Sequence, residues 1–128
     1  MKIFLTLTAL IEAATGISLL MLPNVLVKLL LGAEISGVAI PLGRVAGIAL
    51  LALGVACWLA GGDVRSRAAG GLVTAMLLYN FGVAVILGAA GMQLQPVGIA
   101  LWPVVILHVT LTVGCLNYLR RRRTVEPA

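Results

Sequence analysis

The sequence predicts an all-α membrane fold: a four-transmembrane-helix bundle in up-down order, with a short interfacial helix after the first span. Three observations lead there. The 128-residue chain is 62% hydrophobic and only 10% charged, with mean hydropathy +1.17, a balance that a small water-soluble domain could not cover with polar surface. Four stretches, 3–22, 38–60, 68–91 and 98–119, are long and apolar enough to cross about 30 Å of hydrocarbon, which takes roughly 20 helical residues. The connections Gly61 to Arg67 and Met92 to Val97 are short, so consecutive helices are expected to be antiparallel neighbours in one domain covering 1–128.

Lys2 opens the first span, and Ala13 and Ala14 resemble a small-residue cleavage site. The apolar run continues through "GISLLML" beyond them, so the segment reads as a retained span rather than a signal peptide. Within it, "LIEAATG" places Glu12 in the middle of an apolar run, roughly 15 Å from the outer helix end at 1.5 Å per residue, close to the midplane. A charge there costs about 2.5–3.5 kcal/mol on insertion scales, so it is expected to face the bundle and to have a partner or a proton. Thr8, Thr15 and Gly16, at i−4, i+3 and i+4, complete a polar and small face.

The next segment, "LPNVLVKLLLG", is too short to span: Pro23 breaks or starts a helix and Gly32 can end one. It reads as an interfacial helix, with Lys28 reaching the headgroups. The second span contains "PLGRVAGIALLALG", where Gly43 and Gly47 are four apart and Gly54 lies one heptad beyond. These glycines are expected to pack a neighbouring helix at close range. Arg44 lies between the first two, and two readings are open for it: an ion pair with Glu12, or a side chain snorkelling to the outer headgroups.

The third and fourth spans bring Asn80 and His108 to similar depth, with His108 sharing a face with Thr112 and Cys115. The expectation is a buried polar cluster of Glu12, Arg44, Asn80 and His108, one residue from each span. The cluster has either a structural role in helix specificity or a ligand, proton or redox role. Cys57 and Cys115 fall at like depth near inner helix ends; they read as small packing residues, with a redox role left open. A lone histidine with no His or Cys cluster predicts no metal site. No nucleophile elbow, phosphate loop, zincin pattern or paired carboxylate is present, so no catalytic residue is assigned.

Basic residues set the orientation. Lys2, Arg65, Arg67 and Arg120, Arg121, Arg122 and Arg123 fall on one side of a four-span chain, against Lys28 and Arg44 on the other. Both termini, including the basic tail 120–128, are therefore expected in the cytoplasm. The net charge of +5 comes largely from "LRRRRT", which directly after a span reads as an anchor to anionic lipid headgroups and not as a nucleic-acid site. Trp102 near the outer end of its span, and Trp58 and Tyr118 near inner ends, fit interfacial aromatic belts. A faint repeat lays "GVAIPLGRVAGIALLALGVACWL" over "GIALWPVVILHVTLTVGCLNYL", as in a parallel duplication of helical hairpins.

The segment "GRVAGIALLALG" in the second span, the early "LP" after the first, and four spans in so short a chain resemble the small bacterial integral membrane proteins grouped as DoxX-like. The resemblance covers most of the chain in architecture and one short segment in motif. Some members of that group are associated with quinone-linked sulfur oxidation or with membrane oxidoreductase complexes. The resemblance thus implies a multi-pass protein of the bacterial inner membrane, an accessory or redox-associated subunit. A quinone is the cofactor class it suggests, and a partner membrane subunit the company; it transfers no catalytic residue. The glycine face of the second span fits packing within the bundle or against a second copy of the chain. "LIEAATG" also looks like the first helix of small multidrug-resistance transporters, whose membrane-embedded glutamate exchanges protons for cationic drugs across an antiparallel dimer. Against that likeness stand the one-sided basic residues, Arg44 as a competitor for the carboxylate, and few aromatic residues at midplane.

Overall fold

A computed structural model describes residues 2–94 and 96–125, with side chains as far as residue 122. The described residues form five helices and no strand: α1 Lys2–Met21, α2 Pro23–Leu31, α3 Ala39–Ala60, α4 Arg67–Gln93 and α5 Leu101–Val125. All but α2 are long and apolar enough to cross a membrane, and only 17% to 28% of each apolar window is buried within the chain. Much of the rest, including Ile3, Leu42, Leu78 and Ile106, points outward. This is the makeup of a multi-pass membrane protein, whose outer solvent is hydrocarbon and whose backbone polar groups are satisfied inside each helix.

The inward stripe of α1 is Leu5, Thr8, Ala9, Glu12 and Gly16, the spacing of one helical face. On α3 it is Gly47, Leu50, Gly54 and Cys57. Where the two stripes meet, the backbones touch. A Cβ on Gly16 would stand 2.7 Å from the Gly47 carbonyl oxygen and 2.8 Å from the Leu51 nitrogen; one on Gly54 would stand 3.0 Å from the Ala9 oxygen. Gly43 lies against Pro23 and Leu19 while Gly54 lies against Ala9 and Ala13, so α1 and α3 run antiparallel. Close approach replaces the hydrophobic force that two helices in lipid lack.

The second tight pair is α4 with α5. Leu101 and Trp102 cover Gly91 at one end, and Arg122 crosses Gly70 at the other, so this pair is antiparallel too. The two pairs meet in a core of Leu5, Ala9, Cys57, Val73, Met76 and Cys115, drawn from all four long helices, and the Phe4 ring of α1 lies on Gly114 of α5.

Polar contacts close both ends. The α3–α4 turn is capped by Ser66, whose hydroxyl accepts the Ala69 N–H at 3.1 Å, an N-cap that fits the residue type. Tyr118 donates its hydroxyl to the Val64 carbonyl. At the other end α2 stops at Gly32, whose φ of 73° is left-handed, the conformation glycine adopts without strain. The last carbonyls of α2 are taken by the α4–α5 linker: Gly98 N–H donates to Leu30 at 3.1 Å and Ala100 N–H to Leu29 at 2.9 Å. That pairing corrects the expected span 98–119. Gly98 and Ala100 serve α2, so α5 begins at Leu101 and carries Pro103 in its first turn, where a missing N–H leaves no bond unmade. Likewise α4 runs on to Gln93, past the expected end at residue 91.

Candidate functional site: a buried polar layer

The core cluster defines a level, and the polar residues lie together on one side of it. Glu12 is three residues beyond Ala9 on α1, Asn80 four beyond Met76 on α4, and His108 seven before Cys115 on α5. Because α4 and α5 are antiparallel, these steps lead the same way. Glu12 is 2% exposed, Asn80 0% and His108 8%, so each is held away from whatever surrounds the chain.

Their hydrogen bonding is incomplete. Asn80 donates its amide to the Met76 carbonyl at 2.8 Å, while Glu12 Oε1, Asn80 Oδ1 and His108 Nδ1 are buried with no hydrogen-bond partner. Neighbouring hydroxyls do not help: Thr8 donates to the Phe4 carbonyl and Thr112 to the His108 carbonyl, each within its own helix. Three buried polar atoms without partners in one interior are a departure from ordinary practice, since nearly all such groups in folded proteins are paired.

Tyr79, half-buried and next to Asn80 in the chain, packs against one member, His108. Its ring centroid is 5.9 Å from that of His108 at an interplanar angle of 49°, and it lies within electrostatic reach of Glu12. Cys57 and Cys115 share the buried core cluster. Both cysteines are free thiols, 0% and 1% exposed. Among the described residues no group of three His, Cys, Asp or Glu side chains converges as a metal site would need.

Arg44 requires a correction. It is exposed, and it forms no salt bridge with Glu12; an ion pair elsewhere joins Lys28 Nζ to Glu34 Oε1 at 2.7 Å. Geometry explains this. At about 100° per residue, position 44 lies roughly 100° around α3 from the centre of the stripe formed by Gly43, Gly47, Leu50, Gly54 and Cys57. The side chain emerges five residues into α3, within snorkelling distance of the helix end. The polar layer is therefore built by α1, α4 and α5, and α3 contributes its thiol and a glycine wall.

Gly43, Gly47 and Gly54 all lie against α1 or its junction with α2. In the basic tail, Arg122 donates to the Ser66 and Arg65 carbonyls, at 2.8 Å each. Arg120 and Arg121 are exposed, and the side chain of Arg123 lies outside the described residues. No family model matches the chain, and no curated protein or solved structure is significantly similar to it. Sequence reasoning missed Tyr79, although its position next to Asn80 near the midplane was a usable signal. It also missed the tethering roles of Tyr118 and Arg122, which depend on loop carbonyls that carry no side-chain signature.

Proposed function

We propose that this chain is a DoxX-like accessory, redox-associated subunit of the bacterial inner membrane, in which Glu12, Asn80 and His108 form a proton-handling site. The carrying observation is the set of three buried, unpartnered polar atoms on three helices; intramembrane ionisable groups are rare enough that function is their default explanation. Cys57 and Cys115 beside the layer fit a redox setting. The reading includes an up-down arrangement of four spans, α2 lying in the outer interface, and cytoplasmic termini. Supporting it are the antiparallel pairs, the 9-residue length of α2 and the basic residues of the 61–66 turn and the tail. A quinone, which takes up protons with electrons, needs donors at its carbonyl oxygens. The His108 ring and the Glu12 carboxyl are groups of that chemistry, and Asn80 would orient them.

Native mass spectrometry after gentle extraction tests this. The expected result is a co-released quinone or a second membrane subunit, diminished in His108→Ala and Glu12→Gln; a bare monomer or homodimer from native membranes would overturn the reading. The exposed position of Arg44 favours one rival, proton-coupled transport of small cations, because it leaves the Glu12 carboxylate without a competing guanidinium. Cation uptake into vesicles driven by a pH gradient and abolished by Glu12→Gln would establish that rival. An assembly role is the third reading, favoured by the glycine seam; it predicts partner release with no effect of Glu12→Gln.

A further inference from the structure

A second feature lies on the outer face of α4 and α5, away from the polar layer. Three cavities there join end to end. The first, of about 670 Å³, is lined by Arg67, Arg120 and Arg122 together with Gly70 and Thr74. It shares Thr74, Leu77 and Leu116 with the second, of about 710 Å³, which in turn shares Phe81 and Thr112 with the third, of about 350 Å³. The last two have no charged residue in their walls. Their threonine hydroxyls are already committed within their own helices: Thr74 donates to the Gly70 carbonyl and Thr112 to the His108 carbonyl. The result is one continuous furrow, cationic at its mouth and greasy below.

We infer that this furrow is a binding site for one anionic glycerophospholipid of the surrounding bilayer, phosphate at the arginines and acyl chain along Leu77, Phe81 and Val85. Charge selects the occupant. Three guanidinium groups line the mouth and, among the described residues, no carboxylate does, a setting that favours a net anionic phosphate headgroup over a zwitterionic one. Length agrees: from Thr74 to Val85 is about 16 Å along α4, against roughly 15 Å for the hydrocarbon of one leaflet. The mouth is also preformed. Gly70 has no side chain and lets the Arg122 guanidinium cross α4, while the Ser66 and Arg65 carbonyls hold two of its nitrogens in place. A fixed guanidinium loses little freedom when a phosphate docks. The site is more specific than a basic tail on a charged surface, because it requires the groove as well as the charge.

The test is native mass spectrometry of the full chain in detergent, with added phosphatidylglycerol or phosphatidylcholine of identical chains. The expected result is a saturable one-lipid adduct for phosphatidylglycerol only. Each phosphate-side arginine contributes about fivefold in affinity, so Arg67→Gln and Arg120→Gln together should weaken binding by more than tenfold. Ala75→Phe, placed on the exposed groove wall, should block the adduct without altering the helical circular dichroism. Equal binding of both lipids, undiminished binding by Ala75→Phe, or glycerol phosphate competing as strongly as the whole lipid would each overturn the proposal. So would a dimer whose formation excludes lipid, since the furrow would then hold a second copy.

Discussion

Replacing Gly16 by alanine puts one methyl group into the α1–α3 seam, and the structure sets its cost. The new Cβ would lie 2.7 Å from the Gly47 oxygen and 2.8 Å from the Leu51 nitrogen, where ordinary contact begins at 3.4 Å. The deficit is about 0.6–0.7 Å, and both neighbours are backbone atoms that no rotamer change can move aside. The helices must separate, which loosens contacts along the whole seam; overpacking of this kind costs about 1–3 kcal/mol. Alanine also gains up to about 1 kcal/mol of helix propensity over glycine, which masks part of the loss. Gly71→Ala and Gly82→Ala provide the reference, because nothing lies within 4 Å of a Cβ at either site. Subtracting them cancels the propensity term and leaves the seam. The assay is unfolding in mixed detergent micelles followed by circular dichroism and by Trp58 and Trp102 fluorescence. Gly16→Ala and Gly47→Ala should be about 1–3 kcal/mol less stable than the references. Gly54→Ala should fall between, since its nearest atom is 3.0 Å away. If Gly16→Ala and Gly82→Ala unfold together, the backbone contact between α1 and α3 does not exist as described.

Other expectations follow from the same contacts. Arg44→Gln should leave the melting temperature in detergent unchanged and should not alter the response to Glu12→Gln; rescue of one by the other would restore the ion pair that the exposed arginine argues against. Tyr118→Phe removes the hydrogen bond to Val64 and should cost about 0.5–1.5 kcal/mol, with faster amide exchange in the 61–66 turn as the local readout. The side-chain hydrogen bond to Lys28 holds the Glu34 carboxyl below its ordinary 4.5, and the same bond holds Lys28 above its ordinary 10.5. The tie is therefore complete between those two ordinary values. It is lost on acidification as pH falls through the lowered Glu34 value, and in alkali as pH rises through the raised Lys28 value. Carbon-detected titration of Glu34 should show it return to about 4.5 in Lys28→Ala, and salt should weaken the effect because both groups are exposed. Cys57 and Cys115 should react with maleimide only after unfolding in dodecyl sulfate; rapid labelling in mild detergent would contradict their burial.

Depth was the legible coordinate in this sequence, and azimuth was harder. Counting 1.5 Å per residue put Glu12, Asn80 and His108 near one level, and the structure buries all three. The same count put Arg44 within reach of that level, but it said nothing of the roughly 100° that separates Arg44 from the glycine stripe. Reading Gly43, Gly47 and Gly54 as the packed face, and then asking where residue 44 falls on that wheel, would have exposed the problem. Apolar runs marked the four long helices well because each must supply its own backbone hydrogen bonds. The start of the last one is not legible in the apolar run, because Gly98 and Ala100 are as apolar as a span while their N–H groups go to Leu30 and Leu29, partners from a distant part of the chain.

Those two bonds bear on how the protein is made. A nascent chain enters the bilayer from its N-terminus, so Leu29 and Leu30 are synthesised and delivered long before Gly98 emerges from the ribosome. Until then the last carbonyls of α2 lack these partners. Docking of residues 98–100 thus closes a latch that no shorter translation product can close, and it forms just where α5, the helix that carries His108, begins.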